Sequence, residues 1–258
     1  MKYLTDSHCH LFFDGLIEDI PALIERSKAA GVYRMICPGI NLESSRESMV
    51  IADTHSEVYA TAGIHPHDVE DAPENYLYQL ADMLIHPKVI AVGEIGLDYF
   101  RNYSDHSIQK RMFREQINLA MTLDLPIVFH NRASDEDVLN ILRESGFNKG
   151  VAHCFSSDVK TAQAFVEMGF YISFAGNLTY KNSGLSDVAR EIPLNRIMLE
   201  TDSPFLSPVP FRGKPNEPVR VSIIAEKLAE FKSCSLEEVA MVTTENVNTL
   251  FDLKLNSQ

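Results

Sequence analysis

Near the start of the chain, Thr5-Asp6-Ser7-His8-Cys9-His10 sets two histidines in an i, i+2 pair. No turn former precedes them, so the segment reads as a strand, on which side chains two apart share a face. His8 and His10 then present two imidazoles side by side, with Cys9 directed away. Two neutral imidazoles on one face suit Zn, Mn, Fe or Ni. An isolated His-x-His is more often two unrelated surface histidines, so its meaning depends on what ends the later strands.

Those endings repeat the chemistry. Val89-Ile90-Ala91-Val92 leads to Glu94, Ile127-Val128-Phe129 to His130, Gly150-Val151-Ala152 to His153, and Ile197-Met198-Leu199 to Asp202. A strand buried on both faces has no packing use for a carboxylate or imidazole at its tip, and an unpaired buried charge is costly. A packed core histidine explains any one position. Five such endings at one rim point to a metal centre. Four histidines and two carboxylates exceed the usual three protein ligands of a single catalytic metal. They suit two divalent ions with one carboxylate between them, an arrangement that hydrolyses phosphate esters or amides.

The elements that must position these residues alternate along the chain. Lys2 to Cys9, Val32 to Cys37, Val58 to Ile64, Val89 to Gly93, Pro126 to Phe129, Gly150 to Ala152, Phe170 to Phe174 and Arg196 to Leu199 read as strands. Helical spacing covers Leu16 to Ala30, Leu42 to His55, Pro73 to Ile85, Ile108 to Leu123, Ser134 to Ser145 and Asp158 to Met168, with two closing helices near 217–231 and 235–250. Asn41 is the expected N-cap of one helix, and Ser134 with Asp137 resembles a capping box on another. Gly96 to His106 reads as a loop. Strand–helix alternation implies a parallel sheet with helical crossovers. Eight units in 258 residues match an α/β fold of the (β/α)8 TIM-barrel type, one domain over 1–258, with its site at the C-terminal ends of the strands. The competing architecture is a doubly wound open sheet.

Composition narrows the partners. The net charge of -13 argues against nonspecific adhesion to nucleic acid or anionic membrane, although bound metal adds positive charge that this count omits. The four cysteines, Cys9, Cys37, Cys154 and Cys234, have no paired spacing and read as reduced thiols of a cytoplasmic protein. No apolar run reaches membrane-spanning length, and no obligate protein partner is evident.

Taken together, Asp6-Ser7-His8-Cys9-His10-Leu11, Gly63-Ile64-His65-Pro66-His67, Gly93-Glu94-Ile95-Gly96-Leu97-Asp98-Tyr99, His153-Cys154-Phe155-Ser156 and Glu200-Thr201-Asp202-Ser203-Pro204 resemble the TatD family of metal-dependent hydrolases. The likeness extends to Asn246-Val247 in the last helix. The resemblance implies a deoxyribonuclease that cleaves phosphodiester bonds 3′ to 5′ on single-stranded DNA or RNA with a dinuclear-metal-activated water. It implies that His8, His10 and Asp202 hold one divalent metal, that His130 and His153 hold the other, and that Glu94 bridges them. Asp202 would also orient or deprotonate the water. The two ions would be Mg, Mn or Zn, and the partner a nucleic-acid substrate. Ser134 and Ser157 depart from the Ala and Gly common in the family, which touches loop shape rather than ligands.

His65 is expected at the rim, touching a substrate phosphate or the leaving group, or else as a loop histidine ordered by Pro66. Arg101 and Arg132 are candidate phosphate contacts, because guanidinium matches phosphate oxygens bidentately; each could instead pair with Asp98 or Asp137. Phe205 or Phe211 could stack on a base or plug a Pro-rich loop. The alternative activity is hydrolysis of a small amide, lactone or phosphoester in the same barrel. A non-catalytic metal-binding protein is the third possibility.

Overall fold

Short Val/Ile-rich runs, apolar all round, can only be satisfied inside a sheet covered on both faces. In the computed structural model, which describes residues 3–253, they form eight parallel strands in sequence order: β1 Leu4–Asp6, β2 Val32–Pro38, β3 Val58–Ala62, β4 Val89–Asp98, β5 Ile127–Arg132, β6 Gly150–Ala152, β7 Tyr171–Phe174 and β8 Ile197–Leu199. The expected start of the first strand at Lys2 lies outside the described residues. The sheet closes between β8 and β1 through backbone bonds from Ser7 N to Leu199 O (2.9 Å), Asp202 N to His8 O (2.9 Å) and His10 N to Ser203 O (2.8 Å). Buried Asp6 reinforces that seam, accepting from the Thr201 backbone at 2.9 Å and the Thr201 hydroxyl at 2.5 Å. The fold is therefore the closed (β/α)8 barrel and not the open sheet.

Helices α1 Ile20–Ala29, α2 Leu42–Thr54, α3 Tyr76–Leu84, α4 His106–Leu123, α5 Asp135–Ser145, α6 Val159–Glu167, α7 Leu185–Glu191, α8 Val221–Lys232 and α9 Leu236–Phe251 complete the chain. Some elements differ from the sequence reading for local reasons. Pro21 belongs in a first helical turn, so α1 starts at Ile20 behind an Asp19 cap, and Ile17–Asp19 becomes a short 3-10 turn. Ser134 precedes α5 but does not cap it with its side chain: its hydroxyl donates to Leu97 O at 3.1 Å and to Asn131 Oδ1 at 2.8 Å. Asn41 does cap α2, in a reciprocal box with Ser44. α7 was not expected; it is only seven residues long.

Alternation along the strands divides the core in two. Ile127, Phe129, Ala152, Ile197 and Leu199 face the helices. Val128, Val151 and Met198, one residue out of step, pack with Ile36 and Ile90 inside the barrel, where Val247, Leu250 and Phe251 of α9 join them. Two residues beyond this apolar floor, on the same face, stand His130, His153 and Glu200.

Candidate metal centre

The strand ends carry the predicted side chains to one point. Glu94 is at its middle. Its Oε2 faces the imidazoles that follow β1, which ends at Asp6 short of the expected Cys9, 3.3 Å from His8 Nε2 and 3.9 Å from His10 Nε2. Its Oε1 faces another set, 2.8 Å from His153 Nε2, 3.3 Å from His130 Nδ1 and 3.2 Å from His65 Nε2. Asp202 Oδ1 closes the first side, 3.3 Å from His10 Nε2 and 3.9 Å from His8 Nε2. Three triplets of donor atoms form: His8 with Glu94 and His153, His8 with His10 and Asp202, and His65 with Glu94 and His130.

The spacing tests whether a cation fits. Two donors on one metal with bonds of about 2.1 Å lie about 3.0–3.4 Å apart at right-angled or tetrahedral geometry. The His8 and His10 Nε2 atoms are 3.3 Å apart, as are His8 Nε2 and Glu94 Oε2, and His130 Nδ1 and Glu94 Oε1. Such donor-to-donor spacing, on rings and a carboxylate buried together, fits divalent metal.

The groups behind the rings decide which nitrogen has a lone pair to offer. Fully buried Asp98 places Oδ2 at 3.1 Å from His130 Nε2. A carboxylate only accepts, so Asp98 holds a proton on Nε2, and Nδ1, 3.3 Å from Glu94 Oε1, is the nitrogen that would offer a lone pair to a metal. Glu200 Oε1 accepts the Cys154 N–H at 2.6 Å and lies 3.3 Å from His153 Nδ1, while His153 Nε2 faces the centre, 2.8 Å from Glu94 Oε1. The Nδ1 atoms of His8, His10 and His153 are buried without a hydrogen-bond partner among the described residues. His65 is opposite in kind. Its Nδ1 accepts the His67 N–H at 3.1 Å, so its Nε2 carries the hydrogen and donates toward Glu94 Oε1. The ring is therefore a neutral donor aimed at the centre, buried rather than on the rim.

Electrostatics follow from this crowding. Burial on its own raises Glu94, but the imidazoles of His153 and His65 outweigh it and hold the carboxylate well below its ordinary range. Burial likewise raises Asp202, and the hydrogen bond and charge of His10 bring it down below the usual value. Burial lowers His65 to about 4, keeping it neutral. Burial would lower His153 too, but Glu94 and Glu200 on either side raise it well above the ordinary imidazole value. Two backbone positions share in the aim: Cys154 and Asp202 hold left-handed φ of 46° and 53°, strain that a non-glycine residue keeps only where its surroundings demand it.

Above the cluster lies a cavity of about 650 Å³ lined by His10, His65, Glu94, His130, His153 and Asp202, and by Phe13, Arg101, Arg132, Asn177 and Phe205. Arg132 stacks on the exposed Phe100 ring at 4.1 Å. The carboxylates expected to compete for the arginines are engaged elsewhere. Asp137 binds Tyr99 Oη at 2.6 Å and Lys110, and the other oxygen of Asp98 accepts the Phe100 and Arg101 backbone N–H groups at 2.9 Å. Phe211 does not line the cavity; the Arg220 guanidinium covers its ring at 4.5 Å.

Sequence reasoning missed Asp98, Glu200, His67 and Phe13. For Asp98 a signal existed: Glu94, Gly96 and Asp98 are two apart, one face of a strand. Reading Gly96 as the start of a loop hid it, yet β4 runs on to Asp98. Gly96 is required there by contact, since its φ is +131° and a Cβ would lie 2.1 Å from His130 O.

A closed (β/α)8 barrel whose strand ends gather imidazoles and carboxylates of this kind defines a metal-dependent hydrolase. The chain belongs to the TatD family: the family model described as "TatD related DNase" matches residues 5–252. YabD of Bacillus subtilis (strain 168), described as an uncharacterized metal-dependent hydrolase, is 42% identical over 251 residues, spanning 96% of this chain and 98% of its own. YcfH of Escherichia coli (strain K12), described in the same words, is 36% identical over 263 residues, spanning 97% and 96% of the two chains. The crystal structure of YjjV, a TatD homologue from Escherichia coli K12, matches with a TM-score of 0.94 at 32% identity, covering 97% of this chain and 98% of that one. No helix among the described residues is long and apolar enough to cross a membrane.

Proposed function

We propose that this protein is a two-metal phosphodiesterase that trims single-stranded DNA or RNA from the 3′ end. The observation that carries the reading is Glu94, whose two oxygens face two different sets of imidazoles beneath a cavity with two arginines on its wall. In this assignment His8, His10 and Asp202 would hold one divalent ion and His130 and His153 the second, with Glu94 shared by both. Mg, Mn and Zn all suit such donors, and availability selects among them. When bound, the pair supplies a water of lowered pKa and positive charge for the attacking and leaving oxygens.

The rest is done by the chain. Asp202, kept ionised and lining the cavity, orients the water and takes its proton. His65 Nε2–H donates to a phosphate oxygen or the leaving oxygen. Arg101 and Arg132 hold the strand by its phosphates, as unpaired guanidinium groups do. The four free cysteines accord with a reducing, cytoplasmic setting.

The second reading, hydrolysis of a small amide, lactone or phosphoester, draws on the net charge of -13, which repels a polyanion outside the metal site. One assay separates the two. Metal-stripped protein reloaded with Mg, Mn or Zn is incubated with end-labelled single-stranded DNA beside a panel of small esters and amides. Laddering from the 3′ end, lost in His10→Ala and Glu94→Ala, is expected; small-molecule turnover without laddering selects the second reading.

A further inference from the structure

We propose that the cavity takes a nucleic-acid strand in one orientation, with the terminal base stacked against Phe13 and Phe205 and the next phosphate along the strand on Arg101 and Arg132. The inference rests on the nuclease reading above and adds a nucleobase subsite to it.

The two phenylalanines are tied to the metal-binding positions. Phe13 is three residues beyond His10, with its N–H donating to His10 O at 3.2 Å; Phe205 is three residues beyond Asp202, with its N–H donating to Asp202 O at 2.8 Å. Their rings meet edge to face, centroids 5.5 Å apart and planes at 77°. Both stand edge-on to the His10 imidazole, at 5.5 and 6.0 Å. Both line the cavity, and Phe205 is 49% exposed. A ring held open to solvent by backbone bonds, beside a charged centre, gains nothing from core packing. It does offer a face or edge to a flat ligand, and base–aromatic contacts of this kind are strong and indifferent to sequence.

The opposite wall is different. His10 and Asp202 follow neighbouring strands β1 and β8, whereas Arg101 and Arg132 belong to the ends of β4 and β5. In a ring of eight strands the β8–β1 seam and the β4–β5 seam face each other across the mouth. Guanidinium groups therefore line one side, aromatic rings the other, and Glu94 lies between them. A strand end is divided in the same way: a flat base at the tip, then phosphates. A small ester or lactone has no second anionic group to use the arginine wall. Among 3′ ends, the geometry favours one that retains its base over an otherwise equal abasic end.

The test uses the full-length, metal-loaded protein on two end-labelled single strands, identical except that one ends in a tetrahydrofuran abasic nucleotide. The wild type is expected to show a kcat/KM ratio for normal over abasic ends of roughly ten, at the low side of what losing one base–aromatic stack costs. Phe13→Leu and Phe205→Leu, which keep apolar bulk and lose the ring, are expected to bring that ratio toward one. Arg132→Gln is expected to lower both rates together and leave the ratio at its wild-type value. A wild-type ratio near one, or a ratio unchanged in both leucine variants, overturns the base subsite while the nuclease reading stands. Failure to cut either strand, with every metal supplied, overturns the nuclease reading and this inference with it.

Discussion

Asp98 stands directly behind His130. Its Oδ2 lies 3.1 Å from His130 Nε2, and the same oxygen lies 2.9 Å from His67 Nε2. Burial raises this carboxyl, but the hydrogen bonds from His130 and His67 prevail and hold it far below the ordinary carboxylate range. One buried anion thus fixes a ring at the centre and, through its other oxygen, the Phe100–Arg101 backbone beside the cavity.

Asp98→Asn converts that acceptor into a donor if the loop keeps its oxygen. His130 must then accept at Nε2 and carry its proton on Nδ1, where a lone pair is needed. The expected result is a loss of about 10–100-fold in metal affinity and turnover with the fold intact, as seen when partners behind metal ligands are changed. Calorimetric metal titration and circular dichroism check it; unchanged affinity would show that Asp98 serves the loop alone.

Glu94→Gln leaves one oxygen where two are used, and puts an amide N–H against imidazole nitrogens that must accept a metal. If the protein binds two ions per chain as proposed, bound metal should fall to one or fewer, and turnover by about a thousandfold, the scale of removing a transition-state charge stabiliser. Elemental analysis after gel filtration, beside single-turnover rates, reads both.

His65 gives a pH signature in the chelator-treated protein. Burial lowers its folded pKa to about 4, against an ordinary value of 6.5, so the folded state refuses a proton that the unfolded chain accepts. The stability it contributes is whole above pH 6.5 and is lost as pH falls toward 4, up to about 3 kcal/mol. Urea unfolding of wild type and His65→Gln should give difference curves that are flat above pH 7 and steep between 6.5 and 4. Parallel curves throughout would mean the ring is protonated in the fold.

Gly96→Ala places a methyl group where His130 O already sits, at a φ of +131° that alanine avoids. The β4–β5 pairing must open to admit it. A loss of more than about 2 kcal/mol is expected, the range for overpacking joined to backbone strain, together with weaker metal binding at the His130 side. Thermal unfolding with and without added metal separates the two effects.

Arg101→Gln and Arg132→Gln should each raise KM for an oligonucleotide about tenfold, with a smaller change in kcat, and should reduce the salt dependence of binding by about one phosphate contact. A fall in kcat alone, with KM and salt slope unchanged, would remove both residues from the strand-binding wall.

Much of this site was legible along the chain. Strands buried on both faces leave unbroken apolar runs, so polar residues at their tips stand out, and His8, His10, Glu94, His130, His153 and Asp202 are all of that kind. Asp98 was hidden because a glycine read by itself signals a turn, whereas Gly96 is there to let β4 pass close to β5. Glu200 stands in the sequence only as part of the Glu200-Thr201-Asp202 motif; that it faces His153, 47 residues earlier, cannot be read from either segment. Phe13 looked like any apolar residue near a helix start.

The sequence by itself determined which chemical groups end the strands and in what order, because strand alternation and burial are local properties that each segment carries with it. Only the tertiary structure decided which oxygen of Glu94 meets which imidazole, which nitrogen of His65 and His130 holds the proton, and that rings and guanidinium groups face each other across the cavity. Those relationships depend on distances between strand ends far apart in the chain, and these are set only when β8 closes against β1.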